Sequence, residues 1–488
     1  MRNVICILLC LALTCCRPDT VEIRVSDNVT NRDYMGNGAE WDPYDEVLSW
    51  GTDLSEDDWE ILFDRVGRMG MSYARCMINS PFLYWNKETK SYDKTRNIEK
   101  ISKILQYCKD HGITVIYGEF NPPEPEMKDS QLWVETSVNY LDFLVNEMGF
   151  DCIEHFVIFN EPDGSWATTD GDYGLWKKMM RMFDAEMSRY PGLKDKVSLA
   201  GPDAVIQWTH PGTGLDTADW LEMAAEELDD IIGLYDVHAY PGQSEVRSGV
   251  FAERLRELKE IVPEGKRIIL GEAGFKYDKP GDEMLHQENL RRADTHPFAG
   301  AADSNMMVYD HFYGLDMALL AMDVMNNGYS GMAVWMMDDA AHSVGDTGRK
   351  DNMKIWGFWN ILGGKAFGMP AEEKIRPWYR AWTMMCRFFP KGCDINSLEL
   401  PEGVEMRACA AESAGRHTVA VVNWSTEGRK VKIEVPYTFS EAQLYIYDKE
   451  EGYHDSEGNL IPALTGISGN SVTVGIPSES LIVITDMP

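Results

Sequence analysis

Basic residues are scarce in this chain of 488 residues. It carries 46 Lys and Arg against 79 Asp and Glu, a formal net charge of −33 at pH 7, and the basic residues form no cluster. A chain this acidic has no general attraction for phosphate backbones or anionic lipid surfaces. We therefore expect no nucleic-acid partner.

Metal-binding cysteine patterns are also missing. The ten cysteines form no C-x-x-C pair and no His-rich tract accompanies them, which argues against a zinc site. Asp338, Asp339 and His342 are metal ligands by residue type, but a solvated loop explains them equally well. Six cysteines lie beyond the N-terminal segment: Cys76, Cys108, Cys152, Cys386, Cys393 and Cys409. Apolar surroundings indicate buried thiols for several of them, and spacing leaves a disulfide between Cys386 and Cys393 open.

An apolar run near the N-terminus, residues 4–13, is too short to span a bilayer core of ~30 Å at ~1.5 Å per residue. It follows Arg2 and precedes Cys15 and Cys16, the pattern of a secretory signal over residues 1–16. Cysteines at this boundary resemble a bacterial lipoprotein signal, in which the new N-terminal Cys is acylated; an ordinary cleaved signal is the alternative. We expect an exported protein, lipid-anchored to the cell envelope or else secreted, whose only membrane contact is that anchor.

Short apolar runs alternate with amphipathic helical stretches from about residue 34 to residue 364. The eight runs are 34–41, 71–77, 113–120, 154–161, 197–203, 233–238, 267–272 and 331–335. Between them, stretches such as 55–69 and 98–112 place apolar residues three and four positions apart, the helical period. Eight β units separated by helices predict an α/β fold, a closed (β/α)8 TIM barrel over residues 31–390.

The pattern changes after residue 390. Residues 395–488 contain short runs of alternating polarity separated by Gly, Asn and Ser turns, with no helical stretch. They predict a small β-sandwich, and the segment 20–30, with its alternating run VEIRV, is a candidate extra strand of it. We expect this domain to buttress the barrel.

Polar side chains end the predicted barrel strands, where the active sites of such barrels lie. They are Glu40, Trp41, Arg75, Glu119, Asn160, Glu161, Asp203, His238, Glu272 and Trp335. Two glutamates stand on rigid backbone with open access: Glu161 is followed by Pro162, and Glu272 by Ala-Gly. Hydrolysis of a glycosidic bond needs one carboxylic acid to protonate the leaving oxygen and a second group opposite it, which a carboxylate ~5–5.5 Å away supplies by covalent attack.

The tripeptide Asn160-Glu161-Pro162 on run four, Gly-Glu272 on run seven, His238-Ala-Tyr240 after run six and Trp335 on run eight occur together. This combination resembles the clan A glycoside hydrolases, with an arrangement like that of families thirty, thirty-nine and five. The likeness covers the whole barrel and extends to residues 376–379 and the terminal sandwich.

The resemblance implies a role for each matching residue. Glu272 is the expected nucleophile and Glu161 the acid/base. Four further residues, Asn160, Arg75, His238 and Tyr240, are expected to line the subsite of the cleaved sugar or orient the nucleophile, with Trp335 as the sugar platform. Glu40, Trp41 and Glu119 are additions of this sequence, for which we expect substrate contacts. Arg75, His238 and Trp335 each also admit a purely structural role.

The leading hypothesis is a retaining glycoside hydrolase that acts on a β-linked polysaccharide or oligosaccharide without a cofactor or metal. Endo action is favoured over an exo-acting β-glycosidase, because Trp166, Trp176 and Trp208 could line an extended cleft, although they could equally cap a pocket. An acidic sugar stays open, since Arg75 could locally outweigh the negative charge. The alternative from another class is a non-catalytic surface lipoprotein that binds glycan.

Overall fold

A computed structural model describes residues 20–300, 303–450, 453–455 and 458–488. The predicted signal over residues 1–16, with Cys15 and Cys16, lies outside the described residues. Within them, no helix has both the length and the apolar character needed to cross a membrane.

The strands in chain order are β1 (Val21–Tyr34), β2 (Gly36–Glu40), β3 (Tyr73–Ile78), β4 (Trp85–Asn86), β5 (Ser91–Tyr92), β6 (Thr114–Glu119), β7 (Ile153–Val157), β8 (Ser198–Val205), β9 (Ile232–Ala239), β10 (Ile268–Ala273), β11 (Gly331–Val334), β12 (Cys393–Glu399), β13 (Met406–Ser413), β14 (Arg416–Asn423), β15 (Arg429–Tyr447), β16 (Leu464–Ile476) and β17 (Ser480–Thr485). The α-helices are α1 (Glu56–Met69), α2 (Ile98–Asp110), α3 (Gln131–Asp142), α4 (Tyr173–Met187), α5 (Thr217–Glu227), α6 (Gln243–Ser248), α7 (Val250–Ile261), α8 (Glu283–Thr295), α9 (His311–Asn326), α10 (Gly363–Phe367) and α11 (Trp378–Arg387).

A closed barrel is formed by eight parallel strands in the order β2-β3-β6-β7-β8-β9-β10-β11. Each of the eight predicted runs overlaps one of these strands, so the (β/α)8 barrel is confirmed. The helices between them follow the apolar periodicity. In α1, for example, Ser55 and Asp58 form a capping box at the start, Gly70 ends the helix at φ 67°, and the buried residues recur every three or four positions.

Strand alternation decides which side chains enter the barrel. On β3, Tyr73 and Met77 belong to the cluster inside the barrel, whereas Cys76 and Ile78 belong to the core between barrel and helices. Arg75 lies between the two inward residues, so its side chain also enters the barrel. The same rule applies to every strand end at the mouth.

The terminal domain is one seven-stranded sheet in the order β1-β12-β13-β14-β17-β15-β16. Its first strand, β1, precedes the barrel in the chain and pairs antiparallel with β12 and parallel with β15. Because β1 pairs on both sides, the sheet closes around its own apolar core, which includes Ile23, Val421 and Ile433. The domain is therefore a closed, mostly antiparallel structure in which the expected strand near residues 20–30 spans Val21–Tyr34.

The sheet packs directly on the barrel's α9. Val422 belongs to the same apolar core as the barrel's helices. The side-chain amide of Asn31 donates to the carbonyl of Tyr329 at 2.6 Å, and Arg407 forms a partly buried ion pair with Asp323 of α9. These contacts fit a buttressing role.

The six cysteines of the described residues are all free and buried. The disulfide that spacing left open between Cys386 and Cys393 is therefore not formed. Burial raises the pKa of both thiols, to about 12 for Cys393, which keeps them protonated at neutral pH.

Candidate active site

Arg75 organises the carboxyl-terminal mouth of the barrel. Its guanidinium is fully buried, and Nη1 donates to Glu40 at 2.5 Å and to Glu272 at 3.0 Å. Nη2 donates to the Asn160 side chain at 2.7 Å and to Asp203 at 3.2 Å. Burial alone would lower the pKa of Arg75, but the surrounding carboxylates raise it well above its ordinary value. Arg75 thus ties four mouth residues from different strands into one network.

His238 joins two carboxylates at the same mouth. Its Nδ1 lies 2.9 Å from Glu161 Oε1, and its Nε2 lies 3.0 Å from Asp203 Oδ1. Burial opposes a charged ring, but Asp203 and Glu272 together raise the pKa of His238 well above 6.5. Burial would likewise raise the pKa of Asp203, yet His238 and Arg75 lower it to about 2. At neutral pH the ring is therefore a cation that donates to both neighbours.

Glu161 lies beyond the end of β7, on a loop that holds it at φ 46°, in the left-handed region that few residues other than glycine adopt. Its backbone N–H donates to Asp203 at 3.2 Å, and Oε2 accepts from Trp166 Nε1 at 2.6 Å. Burial would raise the pKa of the Glu161 carboxyl, but the hydrogen bond and charge of His238, with the nearby charge of Lys276, lower it.

Glu272 stands opposite, on β10. Arg75 donates to its Oε2, and the phenolic hydroxyl of Tyr240 donates to its Oε1. One oxygen of Glu272, one oxygen of Glu161 and a ring nitrogen of His238 all lie within 4.8 Å of one another. The mouth thus presents two hydrogen-bonded carboxylates close together in one small space.

Aromatic side chains form the walls of this space. Trp335, Tyr240 and Trp356 belong to the apolar cluster inside the barrel. Tyr240 meets Trp356 edge to face, with ring centroids 5.6 Å apart, and Trp335 stacks on His342 at 5.2 Å. Flat apolar faces beside carboxylates are suited to a ligand that has both apolar faces and hydroxyl groups.

A second aromatic pair lies on the Glu161 side. Trp166 packs edge to face on Trp208 with ring centroids 4.7 Å apart, and 53% of Trp166 is exposed. Trp176, the third tryptophan expected to line a cleft or cap a pocket, instead packs on Trp220 between α4 and α5. Two of the three candidate cleft tryptophans are therefore at the rim.

Two of the expected substrate contacts are corrected. Trp41 is buried and packs against Phe63 and Tyr107 in the helical layer, with centroids 6.1 and 5.8 Å away. Glu119 is completely buried and accepts hydrogen bonds from side chains outside the barrel: Tyr84, Trp133 and Ser137. Strand alternation explains both, because the neighbours Glu40 and Phe120 point inward and these two residues point out. Glu40 itself is buried and supports Arg75.

Several mouth residues were not predicted as site residues. Asp203 was expected at a strand end but was given no role; it lies on β8 and contacts both Arg75 and His238. Asp236 precedes His238 by two positions and shares its inward face, so strand alternation could have identified it. Burial, and next to it the charge of Asp203, raises the pKa of Asp236 to about 8. Lys276, Lys354 and Trp356 lie in loops, where no periodic pattern marks them.

The described residues place potential metal ligands close together in three groups, two of which include His238 and one His342. Both ring nitrogens of His238 are committed to carboxylates, as are those of His342, which lie 2.6 Å from Asp42 and 3.2 Å from Asp346. A histidine that donates from both nitrogens offers no lone pair to an ion. Hydrogen bonds between the histidines and the carboxylates thus explain why these potential ligands lie close together. Asp338 likewise accepts from Trp359 Nε1 at 2.8 Å.

No protein-family model and no curated protein matches this sequence. Solved structures do share its fold. A conserved exported protein from Bacteroides fragilis is 12% identical with a TM-score of 0.66, covering 95% of this chain and 100% of that one. A glucosidase from Croceicoccus marinus is 11% identical with a TM-score of 0.65, covering 96% and 98%. A GH30 endoxylanase from Clostridium papyrosolvens is 13% identical with a TM-score of 0.60, covering 96% and 100%. The fold that the sequence resemblance implied is therefore confirmed along the chain.

Proposed function

We propose that this protein is a retaining glycoside hydrolase that cleaves a β-linked glycan by double displacement, with Glu272 as nucleophile and Glu161 as acid/base. The observation that carries the proposal is that one oxygen of Glu272 and one oxygen of Glu161 lie within 4.8 Å of each other at the barrel mouth. Retaining enzymes hold their carboxyl groups ~5–5.5 Å apart, whereas inverting enzymes need ~6.5–9.5 Å to admit water. Structures of a glucosidase and an endoxylanase with the same fold support it.

In the first step, a carboxylate oxygen of Glu272 bonds to the anomeric carbon. The bond from that carbon to the leaving oxygen breaks, its electron pair stays on the oxygen, and the oxygen takes a proton from Glu161. Arg75 and Tyr240 each hold one oxygen of Glu272. Two fixed donors aim the nucleophile, so little reorganisation is needed on attack.

The proton for the leaving oxygen lies on His238 in the free site. The pKa of His238 is raised and that of Glu161 is lowered, so the bond between them is a cation donating to a carboxylate. Transfer of the Nδ1 proton over 2.9 Å to Oε1 converts Glu161 into the acid. His238 is thus a positioning residue that acts through Glu161.

In the second step, Glu161 takes a proton from water, the resulting hydroxide oxygen bonds to the anomeric carbon, and Glu272 leaves. Two displacements restore the original configuration. The side-chain oxygen of Asn160 is occupied by Arg75, so its NH2 group is left to donate to the sugar 2-hydroxyl.

Endo action is part of the proposal. The leaving part of the substrate departs on the side of the acid/base, where Trp166 and Trp208 lie next to Glu161. Aromatic faces on that side bind sugars beyond the cleaved bond, which favours internal cleavage of a polymer over removal of a terminal sugar. Export with a lipid anchor at Cys15 or Cys16 also belongs to the proposal, on the sequence of residues 1–16.

The test is hydrolysis of a panel of β-glucans, mannans, xylans and galactans, followed by reducing-end release and by NMR of the first anomer formed. Wild type should release reducing ends with initial β configuration. Glu272→Gln and Glu161→Gln should each lower the rate by at least about 10³-fold, while the exposed Glu60→Gln should leave it unchanged. Full activity in Glu272→Gln, or an α-anomer first, would overturn the mechanism. Glycan binding without any cleavage would favour the binding lipoprotein.

A further inference from the structure

Two lysines lie over the aromatic walls of the proposed active site. The ammonium of Lys276 lies 4.5 Å from the ring centroid of Tyr240, the residue that holds the nucleophile. The ammonium of Lys354 lies 5.0 Å from the ring centroid of Trp335. In a chain with a net charge of −33, two cations at one mouth are a local exception.

The ammonium of Lys276 has no hydrogen-bond acceptor or carboxylate partner among the described residues; the Tyr240 ring is its contact. The nearest carboxylate oxygen to the Lys354 ammonium belongs to Asp303, at 3.7 Å. By comparison, the surface residue Lys94 contacts Glu147 at 2.6 Å. The mouth lysines therefore retain capacity for another anion.

The other cations of the mouth have no such capacity. Arg75 is surrounded by four acceptors, and both nitrogens of His238 face carboxylates. The sequence left open that Arg75 would attract an acidic sugar, but the guanidinium is buried and both of its terminal nitrogens already donate to protein acceptors. Any anionic group on a ligand would have to be met by Lys276 and Lys354.

Lys276, which has no carboxylate partner among the described residues, is unfavourable for cleavage of a neutral substrate. The transition state of glycoside hydrolysis carries positive charge on the sugar ring, so an unneutralised ammonium nearby opposes it. Lys276 is close enough to lower the pKa of Glu161, and this opposes the protonated form of Glu161 that acts as the acid. Lys354 lies in the field of both glutamates: burial opposes its charge, but Asp346, Asp303, Glu272 and Glu161 raise its pKa. A substrate anion that pairs with Lys276 removes both the repulsion of the transition state and the lowering of the Glu161 pKa.

We propose that Lys276 and Lys354 bind an acidic group of the glycan, a carboxylate or a sulfate, so that the substrate is an acidic polysaccharide. The inference rests on the proposed function in placing a glycan at this mouth. An anion on Lys276 also removes the charge that holds the proton away from Glu161. Binding of an acidic substrate therefore favours protonation of Glu161, and binding of a neutral glycan with the same backbone does not.

Binding separates this inference from catalysis. In the Glu272→Gln background, we would measure dissociation constants by affinity electrophoresis for matched polymers. These are the β-linked polymers polymannuronate and glucuronoxylan before and after reduction of their carboxyl groups, and a sulfated galactan before and after desulfation. We expect the acidic form of one pair to bind at least about tenfold more tightly, and the pair concerned identifies carboxylate or sulfate. Lys276→Gln and Lys354→Gln should each remove most of that preference, and Lys178→Gln, at a surface pair with Asp129, should leave it.

The outcomes distinguish the two proposals. Equal binding of acidic and neutral forms, or a preference that survives in Lys276→Gln, would overturn the acidic substrate. Cleavage of neutral glycans by wild type and by Lys276→Gln at the same rate would also overturn it, while leaving the glycosidase intact. Lysine-dependent binding of an acidic polymer that is never cleaved would keep this inference and overturn the glycosidase. Lys276 is exposed, so its variant is expected to fold.

Discussion

Nδ1 of His238 lies 2.9 Å from Oε1 of Glu161, and in the proposed mechanism this bond joins the group that holds the proton to the group that delivers it. The pKa of His238 is raised and that of Glu161 is lowered, so the pair carries its proton on the ring. Asp203 anchors the far side of the ring at 3.0 Å. In the proposed mechanism, general acid catalysis therefore depends on three residues.

Replacement of His238 by Gln should impair the acid step selectively. Glu161 then has no cationic donor, and we expect kcat on natural glycans to fall by about 10²–10³-fold. Aryl glycosides with acidic phenol leaving groups need no protonation and should lose less than about tenfold. Because the pKa of His238 lies above 6.5 in the native protein, wild-type activity should persist above that pH and fall as the pair loses its proton. Equal losses on both substrate classes across the pH profile would contradict this role.

Arg75 should be essential for stability as well as activity. Arg75→Met would leave Glu40, Asp203 and Glu272 buried without their cation, at a cost of about 3–5 kcal/mol in the free energy of unfolding. Arg75→Lys retains a charge but cannot span four acceptors, so it should keep more of the stability and still lose most of kcat. Urea unfolding and kcat measured on both variants test this. A Met variant as stable as wild type would show that the network does not depend on its cation.

Strand alternation explains how much of this site the sequence could predict. The eight strands and the ends that carry Arg75, His238 and Glu272 follow from apolar runs, because parallel strands covered by helices are continuously apolar. The predicted substrate contacts of Trp41 and Glu119 are wrong because a strand end supplies one inward and one outward residue. Reading each run with period two separates them, since inward side chains repeat every second position.

Loop residues were beyond such a prediction. Lys276 and Lys354 reach the mouth from segments after β10 and β11 whose path depends on tertiary packing. The sequence suggests Trp166 as a cleft residue because it is aromatic. Its hydrogen bond to Glu161, however, depends on the backbone of Glu161 at φ 46°, which no local sequence pattern predicts. The free thiols of Cys386 and Cys393 depend on how α11 and β12 diverge, which spacing does not encode.

Asp236 should make the protein less stable as pH rises. Its pKa is about 8 in the folded protein against an ordinary 3.8, raised by burial and by Asp203. Between about pH 4 and pH 8 the folded protein keeps a proton that the unfolded chain has lost, so stability falls with pH by at most about 1.4 kcal/mol per unit. Asp236→Asn preserves the acceptor for the backbone N–H of Gly271 and has no proton to lose.

The variant should therefore show a flatter dependence of unfolding free energy on pH than wild type, with the gain largest near pH 8. Urea unfolding from pH 5 to pH 8 measures both slopes. Glu60→Gln, on the exposed face of α1, is the matched control and should retain the wild-type slope. Parallel curves for wild type and Asp236→Asn would mean that Asp236 is ionised in the folded state.

Trp166 should contribute to binding on the leaving-group side without contributing to stability. It is 53% exposed, donates to Glu161 Oε2 at 2.6 Å and packs on Trp208. Trp166→Ala removes a stacking face, so KM for long glycans should rise about 5–30-fold, the equivalent of ~1–2 kcal/mol. For an aryl glycoside with no sugar beyond the cleaved bond, KM should stay within about twofold. Trp166→Phe keeps a ring and loses the N–H, so it separates the two functions: KM for long glycans should stay near wild type while kcat falls. If Trp166→Ala raises KM equally for long and short substrates, the tryptophan acts on Glu161 alone, and endo action loses its structural support.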